Sequence, residues 1–103
     1  GKYTKMPLFP PGDVRAQDDW FKGTRYLQVN ELVRLLRQIA GKVRSTPAAL
    51  DIAWSAAQEG VTTTIVGAKR PEQIRQNAAA SMLLEKSKLM KVVEQVVADQ
   101  PPI

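Results

Sequence analysis

One β-forming run constrains this chain more than any other feature. Residues 61–66 read VTTTIV, β-branched throughout, and Gly67 closes them. A strand presents a row of backbone N–H and C=O groups that it cannot satisfy by itself. No comparable second run occurs in the 103 residues. The expected strand must therefore pair with something outside this segment or with another copy of it.

Around that run the pattern is helical. Val29, Leu32, Val33, Leu36, Ile39 and Ala40 recur at helical spacing, which predicts a helix over 29–43. A second helix is expected from Pro47, with Thr46 as N-cap, Leu50, Ala53, Trp54 and Ala57 as its stripe, and Gly60 as its stop. A third begins at Pro71, with Glu72 in its first turn and Ile74 and Ala78 on its inner face. A fourth spans 85–98, with Leu89, Val92, Val93, Val96 and Val97 as its stripe, before a frayed tail at 100–103. Residues 1–28 read as a long loop broken by Pro7, Pro10, Pro11 and Gly12, with Trp20, Phe21 and Tyr26 as anchors. The order helix, helix, strand, helix, helix is a piece of α/β architecture rather than a bundle. The division is thus a loop, 1–28, and a helical segment with one strand, 29–103, forming a single incomplete domain. A structureless stretch of that length is uncommon in a compact domain, and the chain opens on Gly1 with no initiator Met. Either a tag remnant precedes a domain, or the chain is cut from something longer.

Composition narrows the classes. An apolar fraction of 44% and a charged fraction of 24% fit a soluble globular protein. The chain has neither cysteine nor histidine, which removes disulfides and the usual zinc ligands, so no metal site is expected. No apolar run approaches the ~18 residues that cross a membrane, and no signal-peptide pattern opens the chain; a cytoplasmic location is expected. The net charge of +5 fits a phosphate-bearing partner, either nucleic acid or a nucleotide, and equally fits Lys and Arg dispersed over solvated helix faces.

The chemistry concentrates where the strand gives way to the third helix. Gly67 lets backbone approach a ligand, Lys69 and Arg70 follow, and the helix opens at Pro71. Free N–H groups, a positive helix end and two cations at one place make an anion site suited to phosphate. In (β/α)₈ barrels the phosphate site commonly lies in the loops after the last two strands. A glycine followed by Lys-Arg also occurs in ordinary turns, so both readings stand on the residues alone.

Thr46-Pro47-Ala48-Ala49-Leu50-Asp51-Ile52-Ala53-Trp54, a strand, then Gly67-Ala68-Lys69-Arg70-Pro71-Glu72-Gln73-Ile74 and Asn77 resemble the C-terminal signature of aldo-keto reductases. The likeness is greatest to the branch whose motif reads Gly-Ala-Arg-Arg-Pro-Glu-Gln. Upstream, Gly1-Lys2-Tyr3, Pro10-Pro11-Gly12-Asp13-Val14-Arg15, Phe21 with Gly23, and Leu36 with Ile39-Ala40 continue it, and it fades after about Ala80. The resemblance implies an NADP(H)-dependent oxidoreductase on a (β/α)₈ TIM barrel, of which this is a C-terminal fragment with 61–66 as the eighth strand. Its partners would be the missing N-terminal part of the barrel and a small carbonyl substrate, with no nucleic acid and no membrane. It implies that Gly67 and Ala68 line the adenosine phosphate, that Lys69 and Arg70 meet the 2′-phosphate, and that Gln73 and Asn77 face the adenine. Gln73 and Asn77 lie four apart, on one helix face. A plain helix-terminal hydrogen bond for Asn77 and a solvated side chain for Gln73 are the alternatives. Trp20 and Phe21, in a loop over the substrate mouth, are candidates to touch substrate, or packing anchors.

Departures from the family pattern bear on the choice of NADP over NAD. Gln76 stands where many members carry Glu, an Arg common at the position of Gln73 is absent, and Lys69 replaces Arg, keeping charge but losing the bidentate fork. The family's catalytic Asp, Tyr, Lys and His come from the first half of the barrel. This chain has no His, and Tyr3 and Tyr26 lie outside the matching motifs, so no catalytic residue is assigned and the chain alone is expected to be inactive. Two rivals remain. A helix-turn-helix DNA-binding module would place Pro71 inside a recognition helix, at a cost of ~3 kcal/mol. A non-catalytic helical interaction module would present the Val/Leu stripe of the last helix to a partner.

Overall fold

The computed structural model describes residues 2, 3 and 5–101. Gly1, the first residue of the upstream match, and the end of the expected frayed tail at Pro102 and Ile103 lie outside the described residues. Four helices carry the fold: α1 (Gly23–Lys42), α2 (Pro47–Ala56), α3 (Pro71–Leu84) and α4 (Ser87–Ala98), preceded by two 3₁₀ turns at Val14–Ala16 and Asp19–Phe21.

Local chemistry explains most of the boundaries. α2 begins where expected, with the Thr46 hydroxyl accepting from the Ala49 N–H at 3.1 Å and Pro47 in the first turn, where a missing N–H costs nothing. After α2 the chain turns through Gly60 at φ 85°, a left-handed conformation that favours glycine. α1 starts six residues before the expected position, so the loop is shorter than residues 1–28. No side chain caps this start. It is held instead by Tyr26, buried at 4% exposure, whose hydroxyl donates to the Lys5 carbonyl at 2.6 Å.

The core lies between the helices and is small-residue rich: Leu36 and Ala40 from α1, Ala49, Leu50 and Ala53 from α2, Ala80 and Leu83 from α3, and Val93 from α4. The alanines let α2 and α3 approach closely. Trp54 braces α2 against α4, its indole N–H donating to the Glu94 carboxylate at 2.7 Å. Two expected inner faces are displaced. Ile74 is 61% exposed and Ala78 is exposed too; the inward side of α3 is Ala80 and Leu83. On α4, Val92 is 49% exposed, and Leu89, Met90, Val93 and Val97 do the packing. Gln100 is not frayed, since its side-chain amide donates to the Val96 carbonyl at 3.2 Å.

The expected strand is the main correction. Among the described residues none is paired in a sheet, and no backbone group of 62–66 bonds to another backbone group. A ladder requires a second strand, and the described residues contain none. The residues still alternate as a strand would: Thr64, Val66 and Ala68 line a groove against α2 and α3, whereas Ile65 between them is 95% exposed.

Candidate cofactor site

The turn over 67–70 is held by two amides from the first half of α3. Gln73 Oε1 accepts the N–H of Lys69 at 2.7 Å and that of Arg70 at 3.2 Å. One turn further on, the Asn77 side-chain amide donates to the Gly67 carbonyl at 3.2 Å. Residues four apart share a helix face, so the pair clamps the turn from one side. Gln73 at the third helical position is the reaching half of a capping box; Arg70, with no acceptor, cannot supply the other half.

This geometry revises which groups are free. The N–H groups of Lys69 and Arg70 are taken by Gln73, and Pro71 has none. Across 67–73, the N–H groups left without a partner among the described residues are those of Gly67, Ala68 and Glu72. The cations differ as well. Arg70 Nε donates to Glu72 Oε1 at 2.8 Å, with both side chains about three-fifths exposed, whereas Lys69 has no partner among the described residues.

Gly67 has an ordinary negative-φ backbone, and a Cβ built on it would meet nothing within 4 Å. The packing among the described residues therefore does not demand glycine there. Beneath the turn lies an open groove of about 320 Å³, lined by Ile52, Thr64, Val66, Ala68, Ile74 and Asn77, with Ala78 beside them. The Thr64 hydroxyl in it is buried with no hydrogen-bond partner among the described residues. All six residues assigned from sequence to the cofactor (Gly67, Ala68, Lys69, Arg70, Gln73 and Asn77) thus come together at the N-terminus of α3. Sequence reasoning passed over Glu72 and Thr64 as site residues. The signal for Glu72 was its acidic position two residues from Arg70.

Trp20 and Phe21 fall in a different groove, with Lys2, Tyr3, Tyr26, Val29, Asn30 and Val33. Phe21 packs edge-on against Phe9 and Tyr3, at centroid distances of 5.2 and 6.1 Å, as an anchor would. Trp20 is 50% exposed, with the Arg25 guanidinium 5.0 Å from its ring centre. Among the described residues no cluster of acidic, His or Cys side chains could hold a metal ion, and no helix is long and apolar enough to cross a membrane.

Two of these features, the Pro-initiated α2 and the clamped basic turn, lie within a longer match. The Aldo/keto reductase family model matches residues 2–97, and the chain belongs to that family. The chain is 31% identical over 72 residues to the "NADH-specific methylglyoxal reductase" of Escherichia coli (strain K12), covering 70% of this chain and 22% of that protein. It is 34% identical over 71 residues to a "Putative voltage-gated potassium channel subunit beta" of Schizosaccharomyces pombe, covering 67% and 21%. Aldo-keto reductase yakc [NADP(+)] of the same yeast is 31% identical over 80 residues, covering 78% and 24%. The chain thus spans about a fifth to a quarter of the length of these curated relatives. No solved structure matches it. Membership implies a (β/α)₈ barrel as the family fold, of which the described residues supply helices and no paired strand.

Proposed function

We propose that this chain is the C-terminal, cofactor-binding portion of a cytoplasmic NADP(H)-dependent aldo-keto reductase that reduces aldehydes or ketones, and that the segment alone is catalytically inactive. The observation that carries the reading is the turn over 67–70. Its backbone is held by Gln73 and Asn77, and together with Glu72 it presents three N–H groups without a partner among the described residues and two exposed cations at one helix end. Dianionic phosphate is the ligand such a place favours, through charge-assisted hydrogen bonds and the positive helix end.

Each residue then has a part. The N–H groups of Gly67 and Ala68 receive phosphate oxygens where no side chain stands in the way. Lys69 and Arg70 neutralise a ribose 2′-phosphate, the group by which NADP differs from NAD. Gln73 and Asn77 hold the turn and border the adenine end. When bound, the dihydronicotinamide supplies the hydride that goes to the carbonyl carbon. The proton for the carbonyl oxygen is expected from an acid outside this chain, which has no His and whose Tyr3 and Tyr26 lie outside the matching motifs. The names of the relatives support a carbonyl-reducing class and leave NADP against NAD to the turn itself.

The test is a fluorescence titration of the complete reductase with NADPH and with NADH. Lys69→Ala and Arg70→Ala are each expected to weaken NADPH by about tenfold and to leave NADH within about twofold. Unchanged NADPH affinity relative to NADH in both variants would remove the 2′-phosphate assignment.

A further inference from the structure

Of the two cations on the turn, one carries a counter-ion of its own. Arg70 Nε donates to Glu72 Oε1 at 2.8 Å, while Lys69 is unpaired among the described residues. Glu72 is the second residue of α3, where the positive end of the helix stabilises a carboxylate. Gln73 and Asn77 clamp the turn over 67–70 that carries Arg70, and the 2.8 Å ion pair, with both side chains about three-fifths exposed, keeps the Glu72 charge beside the place to which Arg70 would draw an anion.

We infer that Glu72 is a specificity-determining residue that restrains binding of the ribose 2′-phosphate and so lowers the preference for NADP(H) over NAD(H). The inference rests on the reading of this turn as the 2′-phosphate site. A phosphate arriving at Arg70 has two ways in. It displaces the carboxylate from Nε, or it takes the remaining edge of the guanidinium and lies one guanidinium width from a like charge. Either way the carboxylate opposes a dianion. It does not repel a ribose whose 2′ position is a neutral hydroxyl. Glu72 therefore acts on the difference between the two cofactors rather than on adenosine binding as a whole. Two relatives at the same 31% identity bear names that specify NADH in one case and NADP(+) in the other. Overall likeness does not choose between the cofactors.

Glu72→Gln tests this in the complete reductase, because it keeps the side-chain length and a hydrogen-bonding oxygen while removing the charge. NADPH and NADH are titrated by fluorescence against the parent, Glu72→Gln and Lys69→Ala. NADH affinity doubles as the check that each variant is folded. The expected result is that Glu72→Gln tightens NADPH by about three- to tenfold at low salt, with NADH unchanged and the gain shrinking as salt is added. Lys69→Ala should weaken NADPH alone. If Lys69→Ala weakens NADPH but Glu72→Gln leaves the NADPH-to-NADH ratio unchanged or lowers it, the role of Glu72 is overturned and the site stands. If neither variant moves the ratio, the turn is not the 2′-phosphate site and both readings fall.

Discussion

Gln73 shows how much one side chain can do at a helix start. Its carbonyl oxygen accepts two backbone N–H groups, and the Asn77 amide one turn later binds the Gly67 carbonyl, so the turn over 67–70 is shaped before any ligand arrives. The spacing of these two amides was readable, but their partners were not, because a side-chain amide serves a ligand and its own backbone equally well. Asp13 is a second residue whose surroundings set its chemistry. Its carboxylate accepts from the Arg15 N–H at 2.9 Å and from Nε and an Nη of the same guanidinium at 3.0 and 2.6 Å. These bonds favour the charged form and hold the carboxyl down to about 2, against an ordinary 3.8. Since the folded value is the lower one, the stabilisation is complete above about pH 3.8 and is lost as pH falls toward 2. A carbon-13 NMR titration is expected to show the Asp13 carboxyl with a midpoint near 2. Arg15→Ala should return it toward 3.8, and a parent midpoint already at 3.8 would contradict the pairing.

At the scale of elements, helix ends separate what was legible from what was not. α2 was readable because Thr46 and Pro47 carry their own instructions. The start of α1 was not: Lys22 caps nothing, Gly23 reads as a breaker, and what holds the turn is the distant contact from Tyr26 to Lys5. The faces of α3 and α4 were partly misread because each helix carries seven apolar residues, more than one face holds. Which of them packs depends on neighbours remote in sequence. The end of α1 carries a testable cost. Ser45 N–H bonds to the Ala40 carbonyl at 2.9 Å and Arg44 N–H to Gly41 at 3.3 Å, a Schellman closure that places Arg44 at φ 55°. A side chain there costs about 1 kcal/mol that glycine avoids. Arg44→Gly is expected to raise stability in urea unfolding by about 0.5–1 kcal/mol, and a loss of stability would contradict this account of the turn.

For the whole molecule, the run over 61–66 remains the governing feature. Its β-branched composition announced a strand, its residues alternate between the helices and the open side, and its backbone finds no ladder among the described residues. The order of elements pointed to α/β architecture, and the barrel was legible only through the resemblance. A barrel is closed by pairings between distant segments, and this chain spans about a fifth to a quarter of its relatives. The basic turn that follows this run carries the function proposed for it. Amide chemical shifts of the complete, nitrogen-15-labelled reductase, followed as NADP⁺ and then NAD⁺ are added, test that claim most directly. The account predicts that NADP⁺ moves the amides of Gly67, Ala68, Lys69, Arg70 and Glu72 more than NAD⁺ does, with the Asn77 side-chain amide moving for both. Amides of this turn that stay in place through saturation with NADP⁺ would contradict it.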